Sequence, residues 1–177
     1  MPTGADFGTD FMGDAGEVMR KRIAQLVKSE VLVGIPSDKT ERKDDDNTPD
    51  PDGPNNAMIG YVQNYGSPAL NIPARPFMKP GIKNAQDVIS AQFKASAIAI
   101  MENKPEEARN HLEAAGLAAQ TSIQEKITTG PFQKLADSTI AARERKAKKK
   151  GTEAPDKPLM ESGQLRAAIS YVVHEKS

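Results

Sequence analysis

Between Ser37 and Asn56 the chain runs for twenty residues, SDKTERKDDDNTPDPDGPNN, without one large apolar side chain. Seven acids, three bases and three prolines fill the stretch. Such a segment cannot bury enough surface to offset the entropy of ordering it. It is expected as a long, exposed, peripheral loop. Loops of this length inside a compact domain are uncommon and are either functional or without fixed structure.

The rest of the chain must therefore supply the core, and it has little to supply it with. Hydrophobic residues make up 37% of the 177 positions, against about 45–50% for a class that also counts Gly. Aromatics are 5% and Trp is absent, so the core must be built from Ala, Ile, Leu, Val and Met. A chain this polar carries exposed segments or buries its remaining apolar faces against partners. Net charge is zero, with 24 bases and 24 acids, which argues against wholesale coating of nucleic acid or an anionic membrane. The absence of Cys excludes disulfides, thiolate metal sites and cysteine nucleophiles. The stretch from Met1 to Glu17 has no apolar centre and does not read as a signal peptide. The longest mainly apolar run, Ala95 to Met101, is far short of the roughly 20 residues that span a bilayer, so the chain is expected to be soluble.

Residues 1–13, rich in Gly and Asp, read as a flexible arm, and 14–177 as a single domain. Ala15, Met19, Ile23 and Leu26 form one face of an amphipathic helix ending near Ser29. Val31 to Pro36 is β-branched and closed by Pro, a strand pattern. Residues 57–66 predict a short helix stopped by Gly66, with Pro68 beyond it. Residues 67–81 hold four prolines and are expected to run extended or turning. Val88, Phe93 and Ile98 mark a helix over about 84–102. Pro105 opens another, with Glu106 and Glu107 in its first turn. Its stripe is Ala108, Leu112, Ala115, Ala119, Ile123 and Ile127, and Gly130–Pro131 ends it. A helical run from Ser138 leads into a basic segment, 143–150. Residues 151–158 form a second polar loop, Ser162 caps a short turn, and Ile169, Tyr171 and Val173 alternate as a strand. The fold class is α+β: several helices packed on a small antiparallel sheet.

Each chemically suggestive group has a plain alternative. Asp44, Asp45, Asp46, Asp50 and Asp52 resemble a cation loop, but Pro51 stands where an EF-hand needs Gly and no Glu closes the loop. A solvated acidic loop is the better reading, and no metal site is assigned. His111 and His174 are the only histidines, and neither lies in a metal-spaced motif. No nucleophile elbow, Rossmann fingerprint or P-loop occurs. No catalytic residue and no cofactor is expected. The basic residues Arg143, Arg145, Lys146, Lys148, Lys149 and Lys150 could meet DNA phosphates. Alternatively they are a solvated helix end, where cations also suit the dipole. Ile72 to Met78 stands apart: two prolines stiffen it and hold Arg75 between them, with Phe77 following. A pre-organised segment of this kind suits an interface anchor or a buried connection crossing the domain.

Five stretches occur in order: VGIP at 33–36; AMIGYVQNYGSP at 57–68; NIPARPFMKP at 71–80; GPFQKLADSTIAAR at 130–143; and PLMESGQLRAAISYVV at 158–173. Together they resemble the neck and tail-completion (virion morphogenesis) proteins of tailed bacteriophages. The steps that carry the resemblance are Asn64-Tyr65-Gly66-Ser67, Pro73 to Phe77, and Pro158 to Ile169. The chain departs from the family pattern in its acidic insert at 37–56. It also departs at Met160-Glu161, where an aliphatic residue and Asp are more usual. The resemblance implies a structural virion protein at the head–tail junction, present in the host cytoplasm during assembly, with no enzymatic reaction. It implies copies of itself in a ring, tail-tube, terminator or connector proteins as partners, passing contact with genomic DNA, and no membrane. Interface or packing anchors would be Tyr65, Pro73, Ala74, Arg75, Pro76, Phe77, Leu165 and Arg166. A tail terminator or a head-side connector or stopper would fit the same features.

Overall fold

A computed structural model describes residues 9–43 and 53–175. The element order is α1 (Thr9–Lys28), β1 (Ser29–Gly34), α2 (Asn56–Tyr65), α3 (Met78–Asn84), α4 (Gln86–Met101), α5 (Pro105–Thr129), α6 (Asp137–Lys150), α7 (Gln164–Ala168) and β2 (Ser170–Glu175). β1 and β2 pair as a two-stranded antiparallel sheet, so the fold is α+β. No described helix is long and apolar enough to cross a membrane.

The chain divides into two compact units. The smaller comprises 1–32, 88–116 and 172–177; the larger comprises 33–87 and 117–171. Both are discontinuous, where the sequence predicts one domain over 14–177.

The smaller unit has a thin core of Ala99, Ile100 and Ala108. Lys104 N–H donates to the Ala99 carbonyl at 2.8 Å, and Glu102 N–H to that of Ile98 at 2.9 Å, closing the turn between α4 and α5. Arg22 donates from Nη1 to the Met101 carbonyl, tying α1 to the end of α4. α1 begins at Thr9, inside the arm expected over 1–13; residues 1–8 lie outside the described ones. Met19 and Ile23, expected on its buried face, are exposed. So are Val88, Phe93 and Ile98 of α4, whose buried side is Ile89, Ser96, Ala99 and Ile100. These five apolar residues mark their helices by type but do not mark the inward face, which in α4 belongs to Ile89, Ser96, Ala99 and Ile100.

The larger unit holds the main cluster: Phe77, Ile123, Ile127, Leu159, Leu165 and Ile169, flanked by Val33, Ile35, Ile59, Met78, Ile82, Phe132 and Met160. α5 serves both units. The whole stripe expected from its spacing, Ala108 through Ile127, is buried. α3 approaches α5 closely enough that a Cβ on Gly81 would lie 2.7 Å from the Ile123 Cα. Ser122 Oγ donates to the Gly81 carbonyl at 2.7 Å across the same contact. Residues 78–81 are helical, rather than extended or turning as expected for the whole of 67–81. Pro80 falls in the first turn of α3, where a missing N–H breaks no helical bond.

The flanks of the acidic insert are held by polar contacts rather than apolar ones. Asn56 N–H donates to the Thr40 carbonyl at 2.9 Å, and the Asn56 amide donates to the carbonyls of Lys39 and Glu41. Lys43 exchanges two backbone bonds of 2.9 Å with the Gln164 side chain. Ser37, Asp38, Lys39, Glu41 and Lys43 are exposed, as expected of a peripheral loop, although the segment is tied down by these polar contacts; Asn56 is buried and belongs to the fold. Residues 44–52 lie outside the described ones. Replacing 44–52 by a short Gly-Ser linker is expected to change the unfolding free energy by under about 0.5 kcal/mol. Removing 40–43 as well is expected to destabilise the fold measurably, because it deletes the Asn56 and Gln164 partners. Urea melts of the two deletions make the comparison.

Candidate functional site: a Pro-Arg clasp and the cationic cleft beside it

α2 is capped at its start by Asn55, whose side chain accepts from Met58 N–H at 2.8 Å. It ends at Gly66, in the left-handed region with φ 79°. A Cβ there would stand 2.8 Å from the Ala74 nitrogen, so only Gly allows residue 74 to return this closely. The return is a small hairpin: Ser67 and Ile72 exchange backbone bonds of 2.8 and 2.9 Å around a turn at Pro68–Leu70.

The segment then lies along the last turn of α2. Pro73 and Pro76 have no N–H, which leaves Ala74, Arg75 and Phe77 as donors. Arg75 N–H donates to the Gln63 carbonyl at 2.7 Å. Asn64 Oδ1 accepts from both Phe77 and Met78 N–H, each at 3.1 Å, and so satisfies the start of α3. Phe77 is 1% exposed and belongs to the core cluster. Arg75 is 5% exposed and pairs with no acid among the described residues. It donates from Nε to the Gln133 carbonyl (3.2 Å), from Nη1 to Gln63 Oε1 (3.0 Å) and from Nη2 to the Lys134 carbonyl (3.5 Å). Within one unit, then, Pro73–Phe77 is a clasp joining α2, α3 and the 133–134 turn. Pro73 is half-buried, while Ala74 and Pro76 are exposed on its outer side.

The other expected anchors separate. Leu165 is buried in α7 and Arg166 is exposed. Tyr65 is 68% exposed, 4.9 Å in ring centroid from Tyr61, which is 67% exposed. With Met58, these form an uncovered apolar stripe on α2 at spacings of three and four, and Leu70 just beyond it is exposed too. The basic segment does not act as a set. Arg143 turns inward and donates from Nη1 to the carbonyls of Pro155 and Lys157, both at 2.9 Å, holding the 151–158 loop. Lys146 pairs with Glu161 at 3.3 Å. Arg145, Lys148, Lys149 and Lys150 are exposed.

Beside the clasp lies a cleft of about 830 Å³ whose walls include Arg42, Arg75, Lys134, Arg143 and Glu161. Burial first, and then the neighbouring charge of Arg143, hold the Arg75 guanidinium below its ordinary pKa. Among the described residues no group of His, Asp or Glu converges as a metal site, and the acid run at 44–52 lies outside them. His111 Nδ1 meets Gln92 Oε1 at 2.8 Å, and His174 Nδ1 lies 3.4 Å from Glu30. Neither contact includes a nucleophile.

Asn64, Asn56 and Gln164 are the residues that sequence reasoning missed. Asn64 sits in the Asn-Tyr-Gly-Ser step, but nothing local says that its oxygen caps a helix thirteen positions on. No protein-family model, characterised protein or solved structure matches the chain.

Proposed function

We propose that this chain is a structural protein of the phage head–tail junction, a neck or tail-completion component that self-associates around the tail axis. The observation that carries the reading is the Met58–Tyr61–Tyr65 stripe: three large apolar side chains left uncovered on one short helix. Its helix is held rigidly by the clasp behind it. Aromatic side chains on a rigid support are what a stable protein contact uses as anchors. The exposed Val88, Phe93 and Ile98 of the smaller unit add to the same picture. Docking of such faces on second copies and on tail or connector proteins would seal the passage for DNA. A tail terminator or head-side stopper differs only in which neighbour is met.

The reading as a DNA-contacting module is the weaker one. Arg143 is nine-tenths buried, out of reach of a duplex backbone, and Lys146 pairs with Glu161.

Tyr61→Ser with Tyr65→Ser is expected to leave the thermal midpoint within a few degrees, because both rings are exposed. The same pair is expected to weaken self-association about tenfold or more by sedimentation, with the chain present in purified virions by mass spectrometry. Unchanged association, or virions without the chain, would overturn the proposal.

A further inference from the structure

Four basic residues, Arg42, Arg75, Lys134 and Arg143, and one acidic residue, Glu161, line the cleft beside the clasp; Lys134 itself is exposed at its edge. The hydrogen bonds of Arg75 go to neutral acceptors: two carbonyls and the Gln63 amide oxygen. Arg143 likewise donates to two carbonyls, and its Nη2 stands 4.0 Å from Glu161. Its Nε is buried with no hydrogen-bond partner among the described residues. Arg42 is half-buried and donates to Asn56 Oδ1 at 3.3 Å and Ser162 Oγ at 3.4 Å, again neutral groups. Guanidinium groups desolvated together with so little counter-charge repel one another, and that repulsion is relieved by an anion.

We infer that this cleft binds the carboxylates of an acidic peptide segment, and that its occupant is the Asp-rich stretch 44–52 of a second copy of the chain. Three observations favour this occupant. Arg75 and Arg143 are both more than nine-tenths buried. A carboxylate on a short side chain reaches such groups; a phosphate fixed in a broad, rigid duplex does not. The cleft volume is that of sites that enclose a small ligand or a few residues of peptide. Finally, the chain as a whole is neutral, yet 44–52 holds five Asp and no base, the charge complement of the cleft. The second-copy assignment rests on the self-association proposed above.

The test uses the full chain with Asp44, Asp45, Asp46, Asp50 and Asp52 replaced by Asn, so that its own segment does not compete. A fluorescent peptide of sequence DDDNTPDPD is titrated into it. Saturable binding that weakens with added salt is expected. Arg42→Gln is expected to weaken binding about tenfold, the loss of one charged hydrogen-bonding group. Lys134→Gln gives a second reading from a residue that contributes only a backbone carbonyl to the clasp. The same peptide with Asn for every Asp is expected not to bind. No binding, equal binding of the Asn peptide, or indifference to both substitutions overturns the inference. So does displacement by short duplex DNA as readily as by unlabelled peptide. Sedimentation then compares the wild-type chain with the five-Asn chain, which is expected to associate at least about tenfold more weakly. Unchanged association with peptide binding retained overturns the second-copy assignment. Both measurements are made without virions, so their failure is separate from absence of the chain from the particle.

Discussion

Phe77→Ala is expected to lower the unfolding free energy by about 3–5 kcal/mol. The ring is 1% exposed and sits among Ile123, Ile127, Leu159, Leu165 and Ile169, residues from α5, the loop before α7, α7 itself and the junction between α7 and β2. Truncation leaves a cavity that several elements would have to move together to fill. The backbone of α3 cannot shift inward, because Gly81 already lies against Ile123. In urea the midpoint should fall with the slope unchanged, which marks a loss of stability rather than a change in the unfolded chain. Phe93→Ala is the control: that ring keeps 42% of its surface exposed, and its removal should cost only about 1 kcal/mol. Equal shifts for the two variants would remove Phe77 from the centre of the fold.

Asn64→Ala is the second large effect. One side-chain oxygen accepts two backbone N–H groups, those of Phe77 and Met78, and the residue is itself buried. Phe77, at the cap position of α3, has no side-chain acceptor to replace the Asn64 oxygen. Each donor stranded in a buried setting costs about 1–3 kcal/mol. The expected loss therefore rivals that of Phe77→Ala although no apolar surface is removed. Amide exchange separates the two mechanisms. Asn64→Ala should speed exchange at residues 77 and 78 beyond the rise at other amides of the larger unit. Normal protection at both, with stability changed by under about 0.5 kcal/mol, would show that the Asn64 oxygen is dispensable.

Legibility in the sequence followed the range of the interactions. The α5 stripe was readable because burial there repeats every three or four positions, and every member from Ala108 to Ile127 is indeed inside. The Gly66 stop, the Pro-restricted segment and the burial of Phe77 were readable because backbone chemistry and side-chain type act locally. What polar side chains do at a distance was not readable. Nothing near Asn64 announces a helix start at Met78. Nothing in a run of bases marks Arg143 as the one that turns inward. Met19 and Ile23 illustrate the opposite failure. Their spacing is that of a buried face, but spacing does not say whether a neighbour covers it. The Pro-Arg clasp was thus half visible: its stiffness could be read, its hydrogen-bond partners could not.

The pairing of β1 with β2 has a consequence for the order in which the chain can fold. β1 spans Ser29–Gly34, and its only strand partner among the described residues, β2, begins at Ser170. Every helix from α2 to α7 must be synthesised before that ladder can close. Closing so long a loop costs little more free energy than closing one half its length, since a doubling adds only about 0.6 kcal/mol. The toll falls on rate, because contacts far apart in sequence form late. Until they form, β1 is a bare strand edge beside an exposed Leu32, a ready template for another chain. Helices whose contacts are local, such as α4 with the first half of α5, can be in place by then. During synthesis β1 is therefore available to other chains before the strand that pairs with it exists.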